Sequence, residues 1–162
     1  RIDRHNRLGT FITPRIHLRY LPEENTIFRL SMGNGRKVAN IFAENQTLFG
    51  TNRQINILNS GGTIYGLSPE KAWNYGLSVR QIFKLFGQAG DLTADYYITN
   101  FTDQVVVDWE QEGLIKFYNL DGRSRANSLQ IALDYAPTDA LNLRLAYKNY
   151  DVKTTYISGF IQ

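Results

Sequence analysis

The chain has 162 residues, 18 Lys and Arg against 15 Asp and Glu, 43% apolar and 13% aromatic residues, and no cysteine. Without cysteine there is no disulfide scaffold, Cys-ligated zinc, iron–sulfur cluster or thiol nucleophile. A net charge of +3, spread evenly, lacks the basic stripe of a nucleic-acid face. No stretch approaches the length of an apolar membrane helix, but a transmembrane β-strand needs only about 10 residues of alternating polarity.

From Phe11, every second residue separates Ile12, Pro14, Ile16, Leu18 and Tyr20 from Thr13, Arg15, His17 and Arg19. That is a two-faced strand. After a turn over Pro22-Glu23-Glu24-Asn25, Phe28, Leu30 and Met32 alternate with Arg29 and Ser31. Further on, Trp73, Tyr75, Leu77, Val79, Phe83 and Leu85 oppose Asn74, Gly76, Ser78, Arg80 and Lys84, and a turn over Gly87-Gln88-Ala89-Gly90 reverses the chain. Leu92, Ala94, Tyr96 and Ile98 then oppose Thr93, Asp95, Tyr97 and Thr99. The last pair sets Leu129, Ile131, Leu133 and Tyr135 against Gln130, Ala132 and Asp134, then Leu141, Leu143, Leu145 and Tyr147 against Asn142, Arg144 and Lys148. A helical period scatters these apolar residues, whereas a period of two gathers them. Ser68 to Trp73 leaves room for one local helical turn at most.

Connections alternate in length. Turns near residues 22, 88 and 138 are short, whereas 34–66 and 101–123 are long and, if structureless, functional. Short turns at one end and long loops at the other describe an outer-membrane barrel; alternation alone fits a β-sandwich equally. Aromatic placement favours the barrel, with Tyr20 and Tyr135 beside short turns and Trp73, Tyr75 and Tyr147 toward the long loops, as two lipid-interface girdles.

Gly9 to Arg15, Arg19 to Pro22 and Thr26 to Gly33 together resemble the TonB-dependent outer-membrane receptors, whose barrels carry a Ser/Thr-Pro-Arg step, a short turn and a strand running into Gly and Arg. Leu67-Ser68-Pro69-Glu70 through Asn74-Tyr75-Gly76 is similar to a second family element, with Gly76 where Glu is usual. Tyr118-Asn119-Leu120 is similar to a third, weaker one, with Ser128-Leu129-Gln130 in place of the common Gly-x-Glu. The resemblance implies an all-β fold: an antiparallel transmembrane barrel wall of roughly six or seven strands, from a plugged barrel of about 22. Residues 1–162 are expected to be part of one barrel domain, with the plug domain outside them.

By the same resemblance the full-length protein is a receptor of the bacterial outer membrane. It is expected to contact outer-membrane lipid, its own plug and the TonB complex, and to take up a scarce small nutrient such as an iron chelate, haem or a cobalamin. The alternative is a soluble antiparallel β-domain acting as a binding or interaction module. An outer-membrane hydrolase is a more distant alternative, because no nucleophile elbow or Ser/His/Asp motif is present. No catalytic residue, cofactor or nucleic-acid partner is expected.

Arg15, His17, Arg19, Arg29, Arg80, Asp95, Asp134 and Arg144 share the polarity that faces the lumen, where they meet the plug or simply line water. His17 has cationic neighbours, which opposes a metal-ligand role. Asp103, Asp108, Glu110 and Glu112 read as a solvated acidic loop, with irregular spacing for calcium. Asn59-Ser60-Gly61-Gly62 is a turn without the strand, helix and Lys of a phosphate loop. Phe49, Tyr65 and Trp109 are loop aromatics placed either to grip a ligand or to pack the loops together.

Overall fold

The computed structural model describes residues 1–138 and 140–156. A hairpin of β1 (Ile2–His5) and β2 (Gly9–Ile12) is followed by β3 (Arg15–Glu23) and β4 (Thr26–Lys37). Then come α1 (Ile41–Glu44), a 3-10 turn (Gln46–Gly50), β5 (Gln54–Ile57), β6 (Glu70–Leu85) and β7 (Gln88–Thr102). The chain continues with β8 (Val105–Asp108), β9 (Leu114–Asn119), β10 (Gly122–Thr138) and β11 (Leu141–Tyr156). No helix among the described residues is long and apolar enough to cross a membrane.

Six strands form one antiparallel sheet in the order β11-β10-β7-β6-β4-β3, an up-and-down wall rather than two packed layers. The 15 to 17 residues of β6, β7, β10 and β11 exceed the roughly 9–11 that cross a bilayer. Each therefore has more residues than one crossing needs.

The pairing register aligns the alternation from strand to strand. Leu18, Leu30, Leu77, Tyr96 and Leu129 form one row on the apolar face. The next row, Arg19, Arg29, Ser78, Asp95 and Gln130, lies on the polar face. Leu18 is 60% exposed and Leu145 65%. No second layer among the described residues covers that face, as expected when the solvent on that side is lipid.

Three expectations need correction. The second hairpin turns at Phe86-Gly87, because both adopt positive φ (52° and 82°) and Leu85 pairs directly with Gln88. Gln88 to Gly90 already belong to β7. This two-residue turn matches the strand twist at the cost of a left-handed Phe. No helical turn forms at residues 68–73, where β6 begins at Glu70. Tyr147 is paired with Ile131, in the row of Tyr20, Phe28 and Val79, and β11 continues well beyond it to Tyr156, so it stands within the wall rather than at its loop end.

The long connections are not structureless. β5 pairs in parallel with β9, and β8 pairs antiparallel with β9, giving a three-stranded sheet built from both. Asn40 caps α1 by accepting a hydrogen bond from the Ala43 amide at 3.2 Å, which satisfies one of the free donors of a helix start.

Candidate functional site: the loop cap and the polar wall

The two long connections share a dry centre made of Ile41, Leu67, Ile115 and Phe117, all at most 3% exposed. Leu48, Phe49, Ile57, Val105 and Val107 pack around it. This cluster, contributed by α1, the connection just before β6 and strand β9, is what lets the loops hold a shape of their own.

An aromatic group emerges from the cluster to the surface. Phe49 stacks on Phe117 with ring centroids 6.2 Å apart, Phe42 stacks on Phe49 at 4.7 Å, and Tyr65 meets Phe42 edge-on at 5.4 Å. Phe42 and Tyr65 remain 49% and 43% exposed. A shallow, open depression of about 450 Å3 lies beside them, lined by Asn40, Phe42, Ala43, Gln46 and Phe49. Of the three aromatics singled out from sequence, Phe49 and Tyr65 come together and Trp109 does not. Trp109 is exposed, and its carbonyl accepts a hydrogen bond from Arg53 Nη1 at 3.4 Å. Phe42 was missed, although Asn40 before Ile41-Phe42 is the cap signal that places it on a helical turn.

Polar groups fasten the cap to the wall. The Ser68 amide donates to Asn119 Oδ1 at 2.8 Å, while Asn119 Nδ2 donates to the Ser68 carbonyl at 3.0 Å and to the Asp103 carbonyl at 2.7 Å. Glu70 Oε1 accepts from the Val105 amide at 2.8 Å, and Lys71 bridges Asp103 at 2.9 Å. Lys37 reaches Glu44 at 2.7 Å and Glu70 at 3.6 Å. Its hydrogen bond holds the Glu44 carboxyl below the ordinary value, against the opposing effect of partial burial. The four acids of the second loop do not converge: Asp103 is engaged by Lys71, and Asp108 accepts from the Glu110 amide at 3.0 Å.

All eight residues assigned to the polar side of the wall lie on one face of the sheet by register. Their electrostatic settings differ. Arg80 Nε donates to Asp91 at 2.7 Å, and Arg144 meets Asp134 at 3.5 Å. Asp91, on the same face, was missed although its parity with Thr93 and Asp95 places it there. Arg19 and Arg29 stand directly opposite one another, an unfavourable cross-strand pair. Among the described residues neither they nor Arg15, His17 and Asp95 form an ion pair. At Gly76 a Cβ would collide with the Ser31 hydroxyl and the Tyr97 ring. The Tyr97 ring thus occupies the space a longer residue at 76 would need.

No curated protein matches the chain. In structure it is similar to the siderophore receptor PirA from Pseudomonas aeruginosa, with 15% sequence identity and a TM-score of 0.49, over 98% of this chain and 36% of that one. The chain thus spans about a third of that receptor's length. The family model described as TonB dependent receptor-like, beta-barrel, matches residues 1–160. A match across nearly the whole sequence, on an up-and-down wall with one uncovered apolar face, places this chain in the TonB dependent receptor-like β-barrel family.

Proposed function

We propose that the full-length protein is an outer-membrane receptor that captures a scarce small nutrient, of the iron-chelate, haem or cobalamin type, and imports it with energy from TonB. The observation that carries this reading is the family match over residues 1–160. The wall supports it: an uncovered apolar face meets lipid, and the opposite face, with Arg15, His17, Arg19, Arg29, Arg80, Asp95, Asp134 and Arg144, faces the lumen and the plug. The cap stands at the cell exterior, since short turns face the periplasm in such barrels. There Phe42, Phe49 and Tyr65 offer a ligand a partly exposed aromatic surface backed by a rigid core. The work is binding and gating, with no covalent step.

The test is uptake of labelled iron chelates, haem and cobalamin by cells expressing the full-length protein, with and without functional TonB. One ligand class should accumulate only when both are present, and Phe42→Ala with Tyr65→Ala should weaken its capture about tenfold, as expected for loss of two aromatic contacts. TonB-independent accumulation, or none of any class, would overturn the proposal.

A further inference from the structure

The apolar face of the wall ends in bases at one end only. On that face of β10, residues between Asn127 and Tyr135 are uncharged, about the length that crosses a bilayer, and the next outward residues toward the loops are Arg125 and Arg123. Arg36 on β4, Lys71 on β6 and Lys153 on β11 occupy the same end. Beside the short turns this face carries Tyr20, Phe28, Phe83 and Tyr135 and no Lys or Arg among the described strand residues.

The register also sets like charges against each other there. Arg36 is directly opposite Lys71, and Arg125 directly opposite Lys153. Such pairs are destabilising without a counter-charge. Asp103 answers Lys71 at 2.9 Å, and Asp151 answers Lys153 at 3.0 Å. Arg36 lies over the Phe11 ring at 4.9 Å, and Arg125 Nε donates to Asn127 Oδ1 at 3.0 Å. Arg36 and Arg123 are exposed and form no ion pair among the described residues, while Arg125, also exposed, shares Asp151 with Lys153 through electrostatic attraction alone.

We propose that Arg36, Arg123, Arg125 and Lys153 form a docking surface for anionic, phosphate-bearing lipid headgroups in the leaflet at the loop end of the wall. The proposal rests on the membrane-spanning reading and adds which headgroup chemistry the boundary takes. Continuity with the uncharged band puts these side chains at headgroup depth. Guanidinium groups match phosphate oxygens bidentately, and their long stems lie along the apolar surface while the heads reach the interface. In each opposed pair one carboxylate faces two cations, and an anion seated beside them supplies the second negative charge.

Full-length protein reconstituted in phosphatidylcholine vesicles, with and without phosphatidic acid, is the test; the lipids that remain bound after detergent extraction are counted by mass spectrometry. Wild type should retain phosphatidic acid in preference to phosphatidylcholine. Arg36→Gln/Arg125→Gln/Lys153→Gln should lower that retention by roughly fivefold for each base removed, with single variants Arg36→Gln and Arg125→Gln measured in parallel in case the triple variant fails to assemble. Lys84→Gln/Lys148→Gln, on the opposite face, should retain as wild type does. Unchanged retention in the assembled triple or single variants overturns the inference, as does displacement of the lipid by millimolar inorganic phosphate, which would make this a site for free anions. A spin label at Leu77 separates the two levels: if it meets lipid, such a result leaves the barrel standing, and if it meets water the membrane reading itself falls.

Discussion

The wall and the cap use similar residues and place them oppositely. In the wall Leu18, Leu30, Leu77 and Leu145 are all exposed; in the cap Ile41, Leu67, Ile115 and Phe117 are sealed from solvent. The wall satisfies its backbone through hydrogen bonding along the sheet and leaves its apolar surface for lipid, as spanning strands must. The cap stands in water, where a long connection that buries nothing stays unfolded. It therefore needs a core of its own, and it gets one only by joining two loops. The position of a leucine in this chain identifies its solvent.

The largest expected effect separates those two regions. Phe117→Ala removes the best-buried aromatic ring of the cap, at a cost of about 3–5 kcal/mol. Limited proteolysis of the full-length protein in membranes should then open residues 38–69 and 103–121 while the wall stays assembled. Loss of barrel assembly in that variant would show that cap and wall fold as one cooperative unit.

Leu77→Arg probes the other side of the comparison, with about 2–4 kcal/mol expected for a cation at the bilayer midplane. Here assembly into vesicles should fall and the cap should be affected only through the lost wall. A Leu77→Arg protein that assembles as wild type does would mean that this face meets water.

How far the sequence reveals these regions follows from the same contrast. The wall is legible because period-two alternation is local: Phe28, Leu30 and Met32 can be assigned to one face without knowing their neighbours. The cap is not. The parallel pairing of β5 with β9 joins residues 54–57 to residues 114–117, and four-residue strands such as β5 carry too few alternations to announce themselves. Ion pairing also depends on register, so Arg80 and Asp91 are each readable as polar-face residues, but their pairing with one another is not. The family resemblance at Ser68 and Asn119 marks two elements without indicating that each hydrogen-bonds the other.

Asn119→Ala tests that joint. Three hydrogen bonds from one side chain tie the end of β9 to Ser68 and Asp103, and leaving half-buried partners unsatisfied costs about 1–3 kcal/mol. Hydrogen exchange should quicken at the junction, around residues 68 and 103–105, more than at Ile115 or Phe117. Uniform quickening through the cap would mean that the junction and the apolar core are one unit.

A smaller change concerns the wall at the short turn between β6 and β7. Phe86 is 92% exposed with φ at 52°, so its ring packs on little while its backbone is strained. Phe86→Asn, which tolerates that conformation, should stabilise the hairpin by about 1 kcal/mol, read as a higher urea midpoint for the assembled protein. No gain would show that the Phe86 ring is held by something the turn faces in the full-length protein.

The smallest effect is a pH dependence confined to the cap. Because its hydrogen bond to Lys37 depresses the Glu44 carboxyl, the folded cap binds a proton there less readily than the unfolded loop does. The pair therefore contributes its full stability above the unfolded value, and loses it as pH falls through the depressed folded value. Both side chains are well exposed, at 58% and 40%, so screening keeps the contribution to a few tenths of a kcal/mol, at most about 1. A fluorophore on Gln46→Cys in the full-length protein reports cap melting. At neutral pH, Glu44→Gln should lower the cap's melting temperature slightly, and the difference from wild type should vanish once pH falls well below the ordinary carboxylate range. A difference that persists unchanged in acid would mean that the charge on Glu44 plays no part, since Gln keeps an oxygen to accept from the Asn40 amide as Glu44 does at 3.4 Å, and the salt bridge would then contribute nothing to holding the loops.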